Sequence, residues 1–314
     1  MDDDCLKLTA YIGERDRANG GFLADAFTGI YERHELQASL VLRGVEGFGH
    51  KHQLRTDRLL TLSEDLPIVS VAVDTRERIE AARAELRQLE FDGLVTLERA
   101  RMITGESGTV DLPESTKLTV YVGRQERIDG RPAFLAIVDL LHDRGIAGAS
   151  VLLGVDGTAR GTRERARFFA RNAQVPVMII AVGEGPTITS VLPELTRLLP
   201  QPLITLERIG DPYEPSDDDG VWQKLMLYSG APTYEHVIRE LREAGAAGAT
   251  SLRGIWGYHG DHAPHGDRLI QARRHVPVVT VVIDQPTRAQ RWFELIREIA
   301  GEHGLITSEL VPIR

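Results

Sequence analysis

Three tandem α+β domains, each built in the order βαββαβ, are predicted by this sequence on three observations. One unit of about one hundred residues is written three times. Within each copy, apolar runs switch between strand and helix spacing in one fixed order. Stretches rich in Gly, Pro, Ser and Asp part the copies. Lys7-Leu8-Thr9 with Tyr11 and Gly13 recurs as Lys117-Leu118-Thr119 with Tyr121 and Gly123, and as Lys224-Leu225 with Tyr228 and Gly230. A glycine pair follows at matching depth in each copy: Gly44 and Gly47, Gly154 and Gly157, Gly254 and Gly257. Next come Leu66-Pro67, Val175-Pro176 and Val276-Pro277, and the copies close on Thr96-Leu97-Glu98-Arg99, Thr205-Leu206-Glu207-Arg208 and Thr307-Ser308-Glu309-Leu310. A period this long exceeds that of solenoid repeats, so each copy is read as a small domain with its own core. The domains span residues 1–104, 116–210 and 222–314, with linkers 105–115 and 211–221.

In the first copy, Leu6 to Ile12 reads as a strand. Phe22, Ala26, Phe27, Ile30 and Tyr31 then fall at helical spacing on one face. Ala38 to Leu42 is a second strand ending at the glycine pair, and after a polar stretch from Phe48 to Asp65 the run Ile68 to Val73 is a third. Asp74 and Thr75 suit the N-cap of a helix over Glu77 to Leu89, after which Asp92-Gly93 releases the chain into a fourth strand, Leu94 to Arg99. This order folds as a four-stranded antiparallel sheet with both helices on one face, the ferredoxin-like arrangement. Pro132 and Gly145, then Pro186 and Pro200, bracket the two helices of the second copy; Pro232 and Gly245, then Pro286 and Gly304, bracket those of the third. Runs such as Ile68 to Val73 and Val278 to Ile283 are apolar on both faces, so the face without helices also expects cover. Three open faces turned inward would supply it, giving a triangular core and an intramolecular pseudo-trimer.

The composition excludes several classes. With 314 residues, 42% hydrophobic and 26% charged, the chain reads as ordinary and globular. A net charge of −9 argues against nucleic acid and anionic membrane as general partners, because both need clustered Lys and Arg. The single Cys5 forbids an internal disulfide and fits a reducing compartment. The start Met1-Asp2-Asp3-Asp4 is acidic where a signal peptide is basic, and no apolar run nears the roughly 18 residues of a membrane span. The expectation is a cytoplasmic protein without membrane insertion.

Candidate binding residues cluster in the loops. Glycines let backbone amides approach an anion, so the three glycine pairs are candidate ligand sites, with Arg43 and Arg253 supplying charge where the second copy has Leu153. The competing reading is a strand-end turn that needs Gly for geometry alone. After the first strand, Gly13-Glu14-Arg15-Asp16-Arg17 is matched by Gly123 to Arg127, and Arg17 and Arg127 could each reach an acidic ligand or remain ion-paired at the surface. The third copy lacks this loop, since Gly230 to Gly254 is seven residues shorter than Gly13 to Gly44, so at least one inter-copy cleft is expected to be altered. The stretches His50 to Arg58 and Arg160 to Arg171 are basic and suit an acidic partner, or local salt bridging, Thr162 to Ala170 being amphipathic. In the third copy His259, His262 and His265 are spaced by three beside Asp261 and Asp267, which are ligand types for a divalent transition metal. Nucleophile, Walker and zinc-hydrolase motifs are missing, and Glu46, Glu98 and Glu207 stand as isolated carboxylates, so no enzyme is expected and no cofactor is assigned.

The segment Leu42-Arg43-Gly44-Val45-Glu46-Gly47-Phe48-Gly49 lies between the second and third strands. With it in that place, the chain resembles the PII-like signalling superfamily, whose regulators carry a similar Gly-Phe-Gly step at the base of a mobile loop. It is similar in more detail to the PII-like group called domain of unknown function one-ninety, through Tyr11-Ile12-Gly13-Glu14, the segment Arg43 to Gly49, and Leu62-Ser63-Glu64-Asp65-Leu66-Pro67. The resemblance is specific over residues 6–103 and weakens through the second and third copies. It implies a fused, monomeric version of a homotrimer that binds a small anionic metabolite, a nucleotide by class, between copies. It further implies a loop presented to a transporter, channel or enzyme. Two alternatives stand beside it: a metal-binding protein using the histidine loop, and a structural adaptor with no small ligand.

Overall fold

Alternation along β1 (Asp2–Gly13) sorts its side chains to two different cores. Leu6, Leu8, Ala10 and Ile12 face one way into a cluster with helix residues Phe27, Ile30, Ile79 and Ala82. Cys5, Lys7, Thr9 and Tyr11, the alternate set, face the other way. The computed structural model describes residues 2–49, 51–57, 65–105, 111–112, 114–159, 162–163, 175–209, 220–230, 233–260, 262–266, 276–301 and 304–313.

Repeat 1 continues with α1 (Leu23–Arg33), β2 (Ala38–Arg43), β3 (Pro67–Thr75), α2 (Arg76–Leu86) and β4 (Leu94–Ile103). β1 pairs antiparallel with both β3 and β4, and β2 pairs with β3, so the sheet runs β2-β3-β1-β4. Repeat 2 has β5 (Thr116–Gly123), α3 (Ala133–Asp143), β6 (Gly148–Leu153), β7 (Pro176–Gly183), α4 (Gly185–Leu198) and β8 (Ile204–Arg208), paired as β6-β7-β5-β8. Repeat 3 has β9 (Gly220–Gly230), α5 (Thr233–Glu243), β10 (Ala249–Arg253), β11 (Pro277–Asp284), α6 (Pro286–Ala300) and β12 (Leu305–Ile313), paired as β10-β11-β9-β12. The fold is therefore a mixed one of three repeated units, with six helices and a large antiparallel sheet among the described residues.

The elements form largely where the sequence places them. Thr75 caps α2 by accepting from the Arg78 amide, and buried Asp74 accepts from the amides of Thr75 and Gln37. The helix ends at Leu86, short of the expected Leu89, because the chain tightens there into three-residue turns. Phe22 is a second correction. It is not on the buried face of α1 but is its N-cap, 44% exposed, because Arg17–Ala18 and Gly21–Phe22 form a small hairpin ahead of the helix. Arg127–Ile128 and Arg131–Pro132 repeat that hairpin, whereas α5 begins at Thr233, three residues after β9 ends.

The faces without helices meet in one shared core. Val71 and Val73, Ile180 and Val182, and Val281 and Ile283, from the third strands of the three repeats, belong to a single buried cluster. The repeats also exchange backbone. A short strand after each glycine pair leaves its own unit: Glu46–Phe48 pairs with β10, Asp156–Ala159 with β2, and Trp256–His259 with β6. Repeat 1 thus reaches repeat 3, repeat 2 reaches repeat 1, and repeat 3 reaches repeat 2, a head-to-tail contact that closes on itself. No described helix is long and apolar enough to cross a membrane.

Candidate functional site

Six charged side chains meet where the first and fourth strands of the three repeats converge. Lys7, Lys117 and Lys224 stand at one matching position of the first strands, and Glu98, Glu207 and Glu309 at one matching position of the fourth. Lys117 reaches all three carboxylates, Glu207 at 2.8 Å, Glu309 at 3.0 Å and Glu98 at 3.4 Å. Lys7 contacts Glu207 at 2.8 Å and Glu98 at 3.2 Å, and Lys224 contacts Glu98 at 2.6 Å and Glu309 at 3.0 Å. All six are buried, so Glu98 and Glu207, expected to be isolated, are instead neutralised across copies together with Glu309. Their oxygens lie within 4.8 Å of one another, close enough for a metal, but the three ammonium groups already occupy that role.

Mutual pairing governs how Lys7, Glu98, Lys117 and Glu309 titrate. Burial pushes Glu98 up, but Lys224, Lys7 and Lys117 outweigh it and hold the carboxyl well below 4.5; Glu309 is lowered likewise by Lys117 and Lys224. Burial pushes Lys7 and Lys117 down, and the glutamates reverse that, so both end above 10.5. A depressed carboxyl contributes stability above its unfolded value that is lost as pH falls, and a raised lysine contributes stability that is lost as pH rises. Urea midpoints are expected to be flat between those limits and to fall below about pH 4.5 and above about pH 10.5. A chain with all three lysines changed to Met and all three glutamates to Leu flattens both flanks; unchanged flanks would place the sensitivity elsewhere.

A cleft of about 440 Å³ opens between repeats 1 and 3. Its apolar wall joins Tyr11, Ile12, Phe48 and Leu94 to Trp222, Val281 and Ile283. Lys51, Gln53 and Arg55 stand at its polar side with Asp16 and Asp92. Arg55 belongs to a short strand, Arg55–Thr56, paired back on Glu46 and Gly47. Its guanidinium lies over Gly13, where a Cβ would meet Nη1 at 2.0 Å, and it pairs with Asp65 at 3.1 Å. Lys51 pairs with Asp92. The arrangement suits a flat ring against the aromatic wall and an acidic group competing for the two cations.

The predicted residues are distributed differently. Phe48 and Gly49 line this cleft. Arg43 is held by Glu14 at 2.9 Å, the Arg15 amide donates to Asp65, Arg17 lies over the Phe22 ring at 4.7 Å, and Arg127 donates to the Gly130 carbonyl at 2.6 Å. Arg253 donates to the Tyr234 hydroxyl at 3.0 Å. The glycine pairs serve the strand exchange. The amides of Gly44, Gly154 and Gly254 donate to the Pro67, Pro176 and Pro277 carbonyls at 2.7, 3.0 and 2.8 Å. A Cβ at Gly47, Gly157 or Gly257 would lie 2.6, 2.3 or 2.1 Å from a carbonyl oxygen of the neighbouring repeat. Among the described residues, His259, His262 and His265 do not form one group of ligand atoms close enough to share a metal. His265 sits opposite Gly257 in a hairpin, while His259 sits opposite Gly148 of repeat 2. His50, Arg58, Leu62 to Glu64, Asp261, Asp267 and nearly all of Arg160 to Arg171 lie outside the described residues.

A family model described as DUF190, Uncharacterized ACR, COG1993, matches residues 5–102, 115–210 and 224–313. The chain belongs to the DUF190 family. DUF190 is a PII-like family, and this member carries it in three tandem copies. A curated relative, the UPF0166 protein of Aquifex aeolicus (strain VF5), is 37% identical over 68 residues, which is 22% of this chain and 64% of the relative's length. Among solved structures, aspartate kinase from Synechocystis overlays 98% of this chain and 43% of its own at 12% identity, with a TM-score of 0.26, too low to carry an argument.

Within this DUF190 chain, sequence reasoning missed Tyr11, Trp222 and Arg55 as cleft residues and Lys7, Lys117 and Lys224 as one cluster. The lysines did leave a signal. A charged residue recurring at one position of three otherwise apolar strands has to be paired inside.

Proposed function

We propose that this DUF190 protein is a non-enzymatic cytoplasmic regulator that binds a small anionic metabolite, a nucleotide by class, between repeats 1 and 3. In this reading the three copies are ferredoxin-like units in an intramolecular pseudo-trimer, supported by the cyclic strand exchange and the shared core. The observation that carries the reading is the cleft itself, of about 440 Å³, with aromatic rings on one side and Lys51 and Arg55 on the other. A base packs against Tyr11 and Trp222, and the acidic group draws Arg55 and Lys51 from their carboxylates. Both cations follow the exchanged strand Glu46–Phe48, so a ligand favours one arrangement of that segment and shifts the surface offered to a partner protein, a transporter, channel or enzyme.

A thermal-shift screen against nucleotides, cyclic nucleotides and other anionic metabolites tests this. A ligand present at 100 times its Kd adds about 2.7 kcal/mol of stability. The expected result is stabilisation by a nucleotide that disappears in Lys51→Ala/Arg55→Ala. Silence across the panel would leave a structural adaptor as the better account.

A further inference from the structure

The cleft between repeats 1 and 3 has a counterpart between repeats 3 and 2, and there the chain has closed it. The correspondence is residue by residue. Gly248 of repeat 3 lies against the Phe48 carbonyl and Gly49 Cα of repeat 1, at 3.3 and 3.6 Å from where its Cβ would be. Gly148 of repeat 2 lies against the Tyr258 carbonyl and His259 Cα of repeat 3, at 3.3 and 3.8 Å. Tyr228 and Leu305 line the counterpart where Tyr11 and Leu94 line the open cleft. Yet the counterpart holds only about 20 Å³.

Two substitutions between copies stand at this junction. Tyr258 stands where repeat 1 has Phe48, and its hydroxyl reaches across the junction to donate to the Ile146 carbonyl of repeat 2 at 2.9 Å. Its ring is buried and meets His142 edge-on at 4.9 Å. His259 stands where repeat 1 has Gly49, placing imidazole Nδ1 3.6 Å from the Cβ position of Gly148. A third change removes the cation: Gly47 faces Arg55 in the repeat 1 hairpin, and Gly257 faces His265 in the repeat 3 hairpin.

We propose that Tyr258 and His259 are an internal plug that withdraws the repeat 2–repeat 3 junction from ligand binding, so the three copies are unequal in what they bind. This rests on the cleft of repeats 1 and 3 accepting an aromatic anion. The histidines of the loop then act by filling space and by replacing Arg55, not as metal ligands.

Equilibrium dialysis with naphthyl phosphate, an aromatic phosphate monoester, counts the sites. Tyr258→Phe/His259→Gly/His265→Arg is expected to raise the number of sites per chain by one. The converse change, Phe48→Tyr/Gly49→His, is expected to lower it by one, and this second variant decides the matter should the first not fold. An unplugged, folded chain with no added site, or a plugged one that keeps its full number, overturns the plug. Should both counts change as expected while no metabolite competes with naphthyl phosphate, the plug stands and the metabolite reading falls. Should the wild-type chain bind no naphthyl phosphate at all, both fall.

Discussion

Lys117→Met is expected to destabilise the chain by about 3–5 kcal/mol, because it removes one partner from a buried ion network and leaves the others. Lys117 touches all three glutamates, so the variant leaves three carboxylates facing two ammonium groups away from water. Equilibrium urea denaturation at neutral pH measures the loss. Replacing all six residues by Met and Leu is a different experiment, since no charge is stranded, and its stability is expected to return to within a few kcal/mol of the wild type or above it. A single lysine change that costs less than the sixfold one would mean the six groups do not act as one network.

The second large effect is expected at Gly257. Alanine there suffers twice: the backbone sits at φ 150°, a conformation that L side chains rarely adopt, and the new methyl would lie 2.1 Å from the Ala149 carbonyl oxygen. Backbone strain and overpacking each cost roughly 1–3 kcal/mol. The loss falls on the pairing of Trp256–His259 with β6, so amide exchange should quicken at Ala149 to Val151 before it quickens in the helical layers. Uniform quickening would show that the junction does not open separately. Gly157→Ala, 2.3 Å from the Ser39 carbonyl but without a positive φ, is the milder comparison.

These residues also show what sequence could and could not reveal. Strand and helix order was legible because apolar spacing and Gly, Pro and Thr punctuation are local: Thr75, Pro132, Gly145 and Pro286 each sit at a helix boundary. The helix-free faces were expected to be covered because both faces of strands such as β3 are apolar, and all eight described side chains from Pro67 to Asp74 are buried. The charge cluster was hidden for the opposite reason. Lys7 and Glu207 are 200 residues apart, and nothing near either in sequence names the other. Half of the cleft was equally hidden, since Trp222 comes from a different copy than Phe48 and Gly49. The glycine pairs were legible as important but not as to why, because an amide free for an anion and a glycine pressed on a neighbouring strand are written with the same letter. Even spacing of His259, His262 and His265 likewise did not reveal that a hairpin sends His259 and His265 to different partners.

The closed exchange of strands has a consequence for the order in which the protein is made. Synthesis runs from repeat 1 to repeat 3, yet the strand Glu46–Phe48 finds its partner β10 only some two hundred residues later. The edge of β2 meanwhile waits for Asp156–Ala159. Until the third repeat leaves the ribosome, the nascent chain carries unpaired edges and a half-built core, the features through which a second chain can pair with it. Fusing three copies fixes their stoichiometry in the finished protein, but during translation it hands the choice of partner to timing.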